Sequence, residues 1–292
     1  MITLGMVAAA WLIMEILMNT GHVSSLLKGL LVPFCIYVIM TVSLNLTVGI
    51  LGELSLGHAG FMCIGAFTSA AFTKATMDTF TNAGLRFFVA LIIGAVCAGI
   101  FGFLIGIPVL RLKGDYLAIV TLAFGEIIKN IINVLYVGID SNGIHFSMKD
   151  QMSLGMEPGG KMIISGAMGI TGTPRQSTFT IGVILILVTL FVVLNLINSR
   201  DGRAIMAIRD NRIAAESIGI NVTKNKLLAF TISAAIAGVA GVLYAHNLSM
   251  LKVSIFDYNM SITILVYVIL GGMGNLRGSI LATIVLYARP EL

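Results

Sequence analysis

The sequence is poor in charged residues. Only 11% of its 292 residues are Asp, Glu, Lys or Arg, whereas 58% are hydrophobic and the mean hydropathy is +1.01. A soluble domain usually carries about 25% charged and about 45–50% apolar residues. This scarcity excludes an ordinary soluble globular protein and predicts a polytopic membrane protein. The net charge of +5 then indicates basic cytoplasmic loops, so we expect no nucleic-acid partner.

Residues for covalent chemistry are also scarce. The three cysteines, Cys35, Cys63 and Cys97, lie within apolar runs without C-x-x-C or other metal-ligand spacing, so we expect small buried thiols and no metal site. The sequence has no H-E-x-x-H motif and no serine in a nucleophile elbow, which predicts no catalytic residue. It also has no G-x-x-x-x-G-K-[ST] loop, so the energy for any active process has to come from another subunit.

Long apolar runs predict membrane-spanning helices, because about 20 apolar residues cross the bilayer and every backbone amide needs a partner there. We predict an all-α bundle that forms a single transmembrane domain over residues 1–292, with about nine spans. Their approximate bounds are 2–18, 28–48, 57–73, 86–110, 115–137, 178–198, 225–246, 258–272 and 278–289. Small residues recur every fourth position in two of them, from Gly94 to Gly106 and from Ser233 to Ala245, which favours close helix packing.

The basic residues predict the orientation. The loop after the sixth span is rich in Arg and Lys, and a second basic turn at Arg111 and Lys113 falls on the same side, so both are expected in the cytoplasm. Residues 138–177 then form an extracytoplasmic loop. Loops of this length are usually functional or disordered. Two interpretations stay open for this loop, a docking surface for an extracytoplasmic partner and a solvated connector.

The cytoplasmic segment 199–224 predicts two short helices between the sixth and seventh spans. Asp201 is placed to cap the first, Ile205 and Ile208 share one side of it, and Asp210-Asn211 offers a second cap. Gly219 is placed to end the second helix in a left-handed conformation. The alternative is a surface loop whose charges only fix the topology.

Two groups of polar residues fall within predicted spans. Five glycines between Val48 and Gly65 surround Glu53, Ser55 and His58, which predicts either a helix break near a translocation path or a cytoplasmic turn. In the fifth span, four polar residues share one helical face by their i, i+3, i+4 and i+7 spacing: Glu126, Lys129, Asn130 and Asn133. They predict either a polar wall of the path or an ion pair that joins helices.

Four segments resemble, in order, the landmarks of permeases of ABC importers for branched-chain amino acids, the LivM type. They are 44–61, 114–122, 202–221 and 268–278. The resemblance implies that the 202–221 segment contacts ATPase subunits. The implied contact residues are Arg203, Arg209, Asp210, Glu216 and Gly219.

The resemblance also implies the partners and the cargo. We expect a bacterial inner-membrane, multi-pass subunit that pairs with a related permease, two cytoplasmic ATPase subunits and an extracytoplasmic solute-binding protein. Leucine, isoleucine and valine are the implied cargo, and ATP is used by the partners, with no cofactor on this subunit. The alternatives are a urea or amide importer and an ion-coupled secondary amino-acid carrier. Two departures from the family pattern are Glu53, where glutamine is expected, and the end of the chain at Arg289–Leu292, which predicts a truncated C-terminus.

Overall fold

The computed structural model describes residues 2–20, 24–77, 79–80, 82–112, 115–157 and 159–288. Helices dominate this part of the chain. The predictions for Lys113 and for Arg289–Leu292 lie outside the described residues. The α-helices are α1 Ile2–Asn19, α2 Ser25–Asn45, α3 His58–Ala75, α4 Ala83–Val109, α5 Asp115–Val134, α6 Phe179–Asn198, α7 Arg200–Asp210, α8 Arg212–Ser217, α9 Val222–Ala245, α10 Tyr258–Gly271 and α11 Leu276–Ala288.

Five helices within the described residues have the length and apolar composition needed to cross a membrane. They are Leu27–Leu51, Ala83–Val109, Tyr116–Val134, Phe179–Asn198 and Val222–Ala245. Thr3–Met18, Tyr258–Gly271 and Leu276–Ala288 are apolar but shorter. The structure therefore supports a multi-pass membrane protein, while the count of nine spans stays a prediction.

Helix α9 lies at the centre of the bundle and packs against α2, α3 and α4. The small residues of its predicted packing pattern, from Ser233 to Ala245, are buried, and Gly238 lies so close to α4 that a Cβ there would overlap Ala98. Gly65 of α3 in turn lies against the Gly238 backbone. Close backbone approach lets helices gain van der Waals contact where hydrophobicity alone does not hold them together. The predicted role of the small-residue pattern in packing is thus confirmed for α4 and α9.

A small sheet departs from the all-α prediction. Strand β1 (Tyr136–Asp140) lies between β2 (Gly143–Ser147) and β3 (Lys161–Ser165), and both pairings are antiparallel. A second, two-stranded sheet joins β4 (Ile170–Thr171) to β5 (Met250–Leu251). Helix α5 ends at Val134 and not at 137, since the rest of this apolar run forms the start of β1 from Tyr136. The 138–177 loop therefore contains ordered strands.

One predicted helix cap is wrong. Ser199, and not Asp201, caps α7, since its Oγ accepts a hydrogen bond from the Gly202 N–H at 3.0 Å. The helix thus begins at Arg200, one residue before Asp201. The Asp201 carboxylate then lies in the first turn, where its negative charge interacts favourably with the positive end of the helix dipole. The second predicted cap is confirmed, because Asn211 Oδ1 accepts from the Ala214 N–H at 3.0 Å.

Candidate functional site

Helices α7 and α8, here called the helix pair, are anchored to the bundle on one side and exposed on the other. Ile205 and Ile208 of α7 are buried, at 0% and 3% exposure. Ile213 of α8 and Ile218, which directly follows α8, are 79% and 74% exposed. Gly202 is required at the anchor, because a Cβ there would overlap the carbonyl of Leu196 in α6. A rigid attachment and an outer apolar surface suit the helix pair to contact with a partner.

Helix α8 ends as the sequence predicts. Gly219 has φ +85°, a left-handed conformation that glycine adopts without a Cβ penalty. The Ile220 N–H then donates to the Ala215 carbonyl at 3.0 Å, which closes the turn. Ala215 packs with Ile208 and Val222, so the turn returns the chain to α9 through a small apolar cluster.

The four charged residues predicted at an ATPase contact point in different directions. Arg203 Nη1 donates to the Asn198 carbonyl at 3.0 Å and so caps the end of α6. Arg209 Nε and Nη2 both donate to Asp210 Oδ1, at 3.0 and 2.9 Å. Glu216 pairs with Arg212 across one turn of α8, and its side chain is 48% exposed. All four residues are exposed, but the guanidinium groups of Arg203 and Arg209 also bond to backbone carbonyls of this chain, whereas the carboxylates of Asp210 and Glu216 pair only with side chains among the described residues.

A helix break lies beside the helix pair. Helix α2 continues as a π-helical turn, Leu46–Leu51, and the chain leaves it at Gly52 with φ +80°. Residues 52–57, here called the break, are neither helix nor strand until α3 begins at His58. Arg209 Nη1 donates to the Gly49 carbonyl at 2.9 Å, so the break begins in contact with α7. The predicted helix break is thus present and ends at the buried His58, while its place beside a translocation path or in a cytoplasmic turn stays a prediction.

Glu53 of the break forms an ion pair with Lys226 near the start of α9. The two side chains are only 14% and 8% exposed. Buried charges of this kind cost solvation free energy that only a close partner offsets. Glu53 is therefore held by this chain's own lysine.

Ser55 and His58 belong to a buried polar network. Ser233 of α9 is its centre, because its Oγ donates to the Ser43 carbonyl at 2.6 Å and accepts from Thr47 Oγ1 at 2.9 Å. His58 Nε2 lies 2.9 Å from the same Ser233 Oγ, and Ser55 Oγ lies 3.4 Å from His58 Nδ1. Since the Ser233 proton is directed to Ser43, His58 Nε2 has to carry the proton of this contact. The network holds the break, α2 and α9 together.

The polar face of α5 is open. Glu126 and Lys129 form an ion pair with Nζ and Oε2 2.5 Å apart, and the two side chains remain 33% and 22% exposed. Asn130 and Asn133 are exposed on the same side. The predicted pair is thus formed, but within one helix, so it does not join two helices of this chain. The role of this face in a path stays a prediction.

Sequence reasoning missed three members of the site. Lys226 is one of the basic residues after the sixth span that predict topology, although its place in the first turns of an apolar helix indicates a buried partner. The small-residue spacing assigns Ser233 only to helix packing. Thr121 of α5 was not considered, and its Oγ1 accepts from the Leu56 N–H at 3.0 Å and so satisfies the backbone of the break.

These features define a multi-pass helical membrane protein with an exposed helix pair seated on a broken helix. The sequence profile described as "Branched-chain amino acid transport system / permease component" matches residues 26–289, more than half of the chain. The chain therefore belongs to this family.

Individual relatives agree with this assignment. The chain is 39% identical over 267 residues to the high-affinity branched-chain amino acid transport system permease protein LivM of Escherichia coli (strain K12), and 38% identical over 266 residues to LivM of Salmonella typhimurium. Both alignments cover 88% of this chain but 61% of the relative, so the chain spans less than two thirds of their length. LivH of E. coli K12 is 22% identical over 255 residues, 86% of this chain and 79% of LivH. No solved structure matches.

Proposed function

We propose that this chain is a permease subunit of an ATP-driven importer and forms part of the translocation path for leucine, isoleucine and valine. The observation that carries the proposal is the helix pair, which is exposed on α8 and bonded on α7 to the break in the bundle. The relatives support the cargo, because LivM and LivH are named as permeases for branched-chain amino acids. The subunit itself does no covalent chemistry.

The ATP is bound and hydrolysed by two separate cytoplasmic subunits. Closure of these ATPases presses on the helix pair, which displaces the break and biases the bundle between inward-facing and outward-facing states. Arg203, Arg209, Asp210, Glu216 and Gly219 belong to this coupling segment. Two states that differ by a few kcal/mol respond to such a bias, because a ligand shifts a two-state equilibrium by its differential affinity.

A related permease subunit completes the path along α5. Ionisable and amide side chains are costly against lipid and normally face a bundle interior or a water-filled cavity. The open face of Glu126, Asn130 and Asn133 therefore suits the boundary with a second permease subunit. Glu53, Ser55 and His58 border the path from the side of the break.

The sheet of β1, β2 and β3 serves as the docking surface for a solute-binding protein outside the cell. Phe146, Met148 and Met152 are 68%, 64% and 93% exposed there. Exposed apolar side chains around an ordered sheet are typical of a protein contact. With the basic segment 199–224 in the cytoplasm, the sheet lies on the opposite side of a bacterial inner membrane.

Reconstitution of the complete complex in proteoliposomes tests the function. Uptake of radiolabelled leucine should require ATP together with the solute-binding protein, should be competed by isoleucine and valine but not by urea, and should survive a protonophore. Uptake by this chain alone under a proton or sodium gradient would identify a secondary carrier instead. Competition by urea and not by valine would move the cargo to amides.

A further inference from the structure

We infer that Arg209 transmits the motion of the helix pair into the bundle as a positioning residue, and that it does not contact the ATPase. The inference rests on the proposed function and assigns one step within it. Its basis is the meeting of three elements at the Gly49 carbonyl. These elements are α7 with Arg209, the π-helical turn with Gly49, and the α10–α11 turn with Gly274.

The guanidinium of Arg209 is held in one orientation. Nη1 donates to the Gly49 carbonyl at 2.9 Å, while Nε and Nη2 are both occupied by Asp210 Oδ1. Gly49 lies in the last turn before the chain leaves the helix at Gly52, where carbonyls lack intrahelical N–H donors. A cation at this helix end also interacts favourably with the helix dipole. Arg209 thus caps the helix that leads into the break.

The glycines around this bond allow close contacts with Arg209 and with the backbone of Gly274. A Cβ on Gly52 would overlap Arg209 Cγ, so the stem of the arginine lies directly on the backbone of the break. A Cβ on Gly49 would overlap the backbone nitrogen of Gly274, in the turn between α10 and α11. The Gly274 N–H donates to Asn45 Oδ1 at 2.8 Å, which ties this turn to α2 as well.

A displacement of α7 therefore reaches the break through the Arg209 side chain, whose stem lies against Gly52, and passes to Gly274 by direct backbone contact with Gly49. It has to move the π-helical turn and the α10–α11 turn together, or break the Arg209–Gly49 bond. Closely packed elements of this kind switch between discrete arrangements and do not deform continuously. The exposed large hydrophobic side chains lie elsewhere on the helix pair, at Ile213 of α8 and at Ile218 directly after it.

The test compares transport with hydrolysis in the reconstituted complete complex. Arg209→Lys keeps the charge, but one ammonium group cannot reproduce the planar, multiply bonded geometry of the guanidinium. We expect leucine uptake per ATP hydrolysed to fall by about tenfold, while the hydrolysis rate stays within about twofold of wild type. Lys224→Ala is the control, since it removes an exposed positive charge from the same segment and should leave the ratio unchanged.

Other outcomes contradict the inference. A parallel fall of hydrolysis and uptake would place Arg209 at the ATPase surface, and unchanged uptake would show that its bond to Gly49 is dispensable.

The wild-type complex gives an independent measurement, because nucleotide binding should alter hydrogen exchange at the Gly52 and Glu53 amides, both bonded to the Thr47 carbonyl. Unchanged exchange there would overturn the inference even if the variant fails to assemble. A wild-type complex without ATP-dependent uptake would instead overturn the proposed function and the inference with it.

Discussion

The ion pair between Glu53 and Lys226 joins the break to α9. Its two partners are separated by most of the chain, so the pair fixes a long-range contact. Removing one member of a buried pair leaves an uncompensated charge, which typically costs about 3–5 kcal/mol.

Lys226→Met should therefore lower the free energy of unfolding by about 3–5 kcal/mol. Thermal unfolding of the detergent-solubilised protein measures the loss. The double variant Glu53→Gln/Lys226→Met should recover most of it, because neither charge is then left unpaired. A double variant as unstable as the single one would contradict the importance of charge pairing here.

Ser233 supports the break through hydrogen bonds rather than charge. Ser233→Ala removes the partner of His58 and Thr47, and each buried polar group left without a partner costs about 1–3 kcal/mol. Ser69→Ala is the matched control, since among the described residues the Ser69 hydroxyl bonds only to the Ala66 carbonyl of its own helix. Chemical denaturation should show a clear loss for the first variant and little for the second. Equal losses would mean that the network adds nothing beyond local packing.

At the scale of elements, the α4–α9 contact depends on small residues. Gly238→Val should reduce the yield of monodisperse protein strongly, because a Cβ at this position would overlap Ala98 and the Gly94 carbonyl. Gly29→Val introduces the same side chain into α2 where nothing lies within 4 Å, and it should be tolerated. Size-exclusion profiles of both variants decide the point. Normal assembly of Gly238→Val would contradict the packing described here.

The three-stranded sheet of β1, β2 and β3 depends on Asp140. Burial raises the pKa of this carboxyl, but backbone N–H groups of Glu157 and Asn142 and the His145 side chain bond to it, and the net pKa lies below its ordinary value. A group whose folded-state pKa is lowered stabilises the fold above its unfolded-state pKa. This contribution is lost as the pH falls through the folded-state pKa.

Asp140→Asn should accordingly speed hydrogen exchange in β1 and β2 at neutral pH, and the difference from wild type should shrink in acid. Asp201→Asn, far from the sheet in α7, should leave exchange there unchanged. A difference that persists at acidic pH would show that the charge of Asp140 is unimportant.

Elements with local signals could be predicted from the sequence. The helix pair follows from the Asn211 cap, the positions of Ile205 and Ile208 and the glycine at 219, and the break follows from glycine density near Glu53. The outer strands are only two to five residues long, and β1 directly continues the apolar run of α5, so the sequence offered no boundary. The partners of the site could not be predicted, since Ser233 lies 175 residues from His58 and Lys226 lies 173 residues from Glu53.

At the scale of the whole molecule, the described residues include two exposed surfaces that suit contacts with different partners. The helix pair lies between the end of α6 and the start of α9, and the three-stranded sheet lies between the end of α5 and the start of α6. Between them, α5 carries a polar face that lipid would not stabilise. A subunit built this way is expected to be complete only within an assembly.

Isolation of the native assembly tests this expectation most directly. A tagged copy of the chain should be extracted from its own membrane into nanodiscs, and native mass spectrometry should give the composition. The predicted result is one copy of this chain with one related permease and two ATPase subunits, and nucleotide hydrolysis in the same sample. A chain that is isolated alone or only with copies of itself, and that transports leucine without nucleotide, would contradict the proposed function.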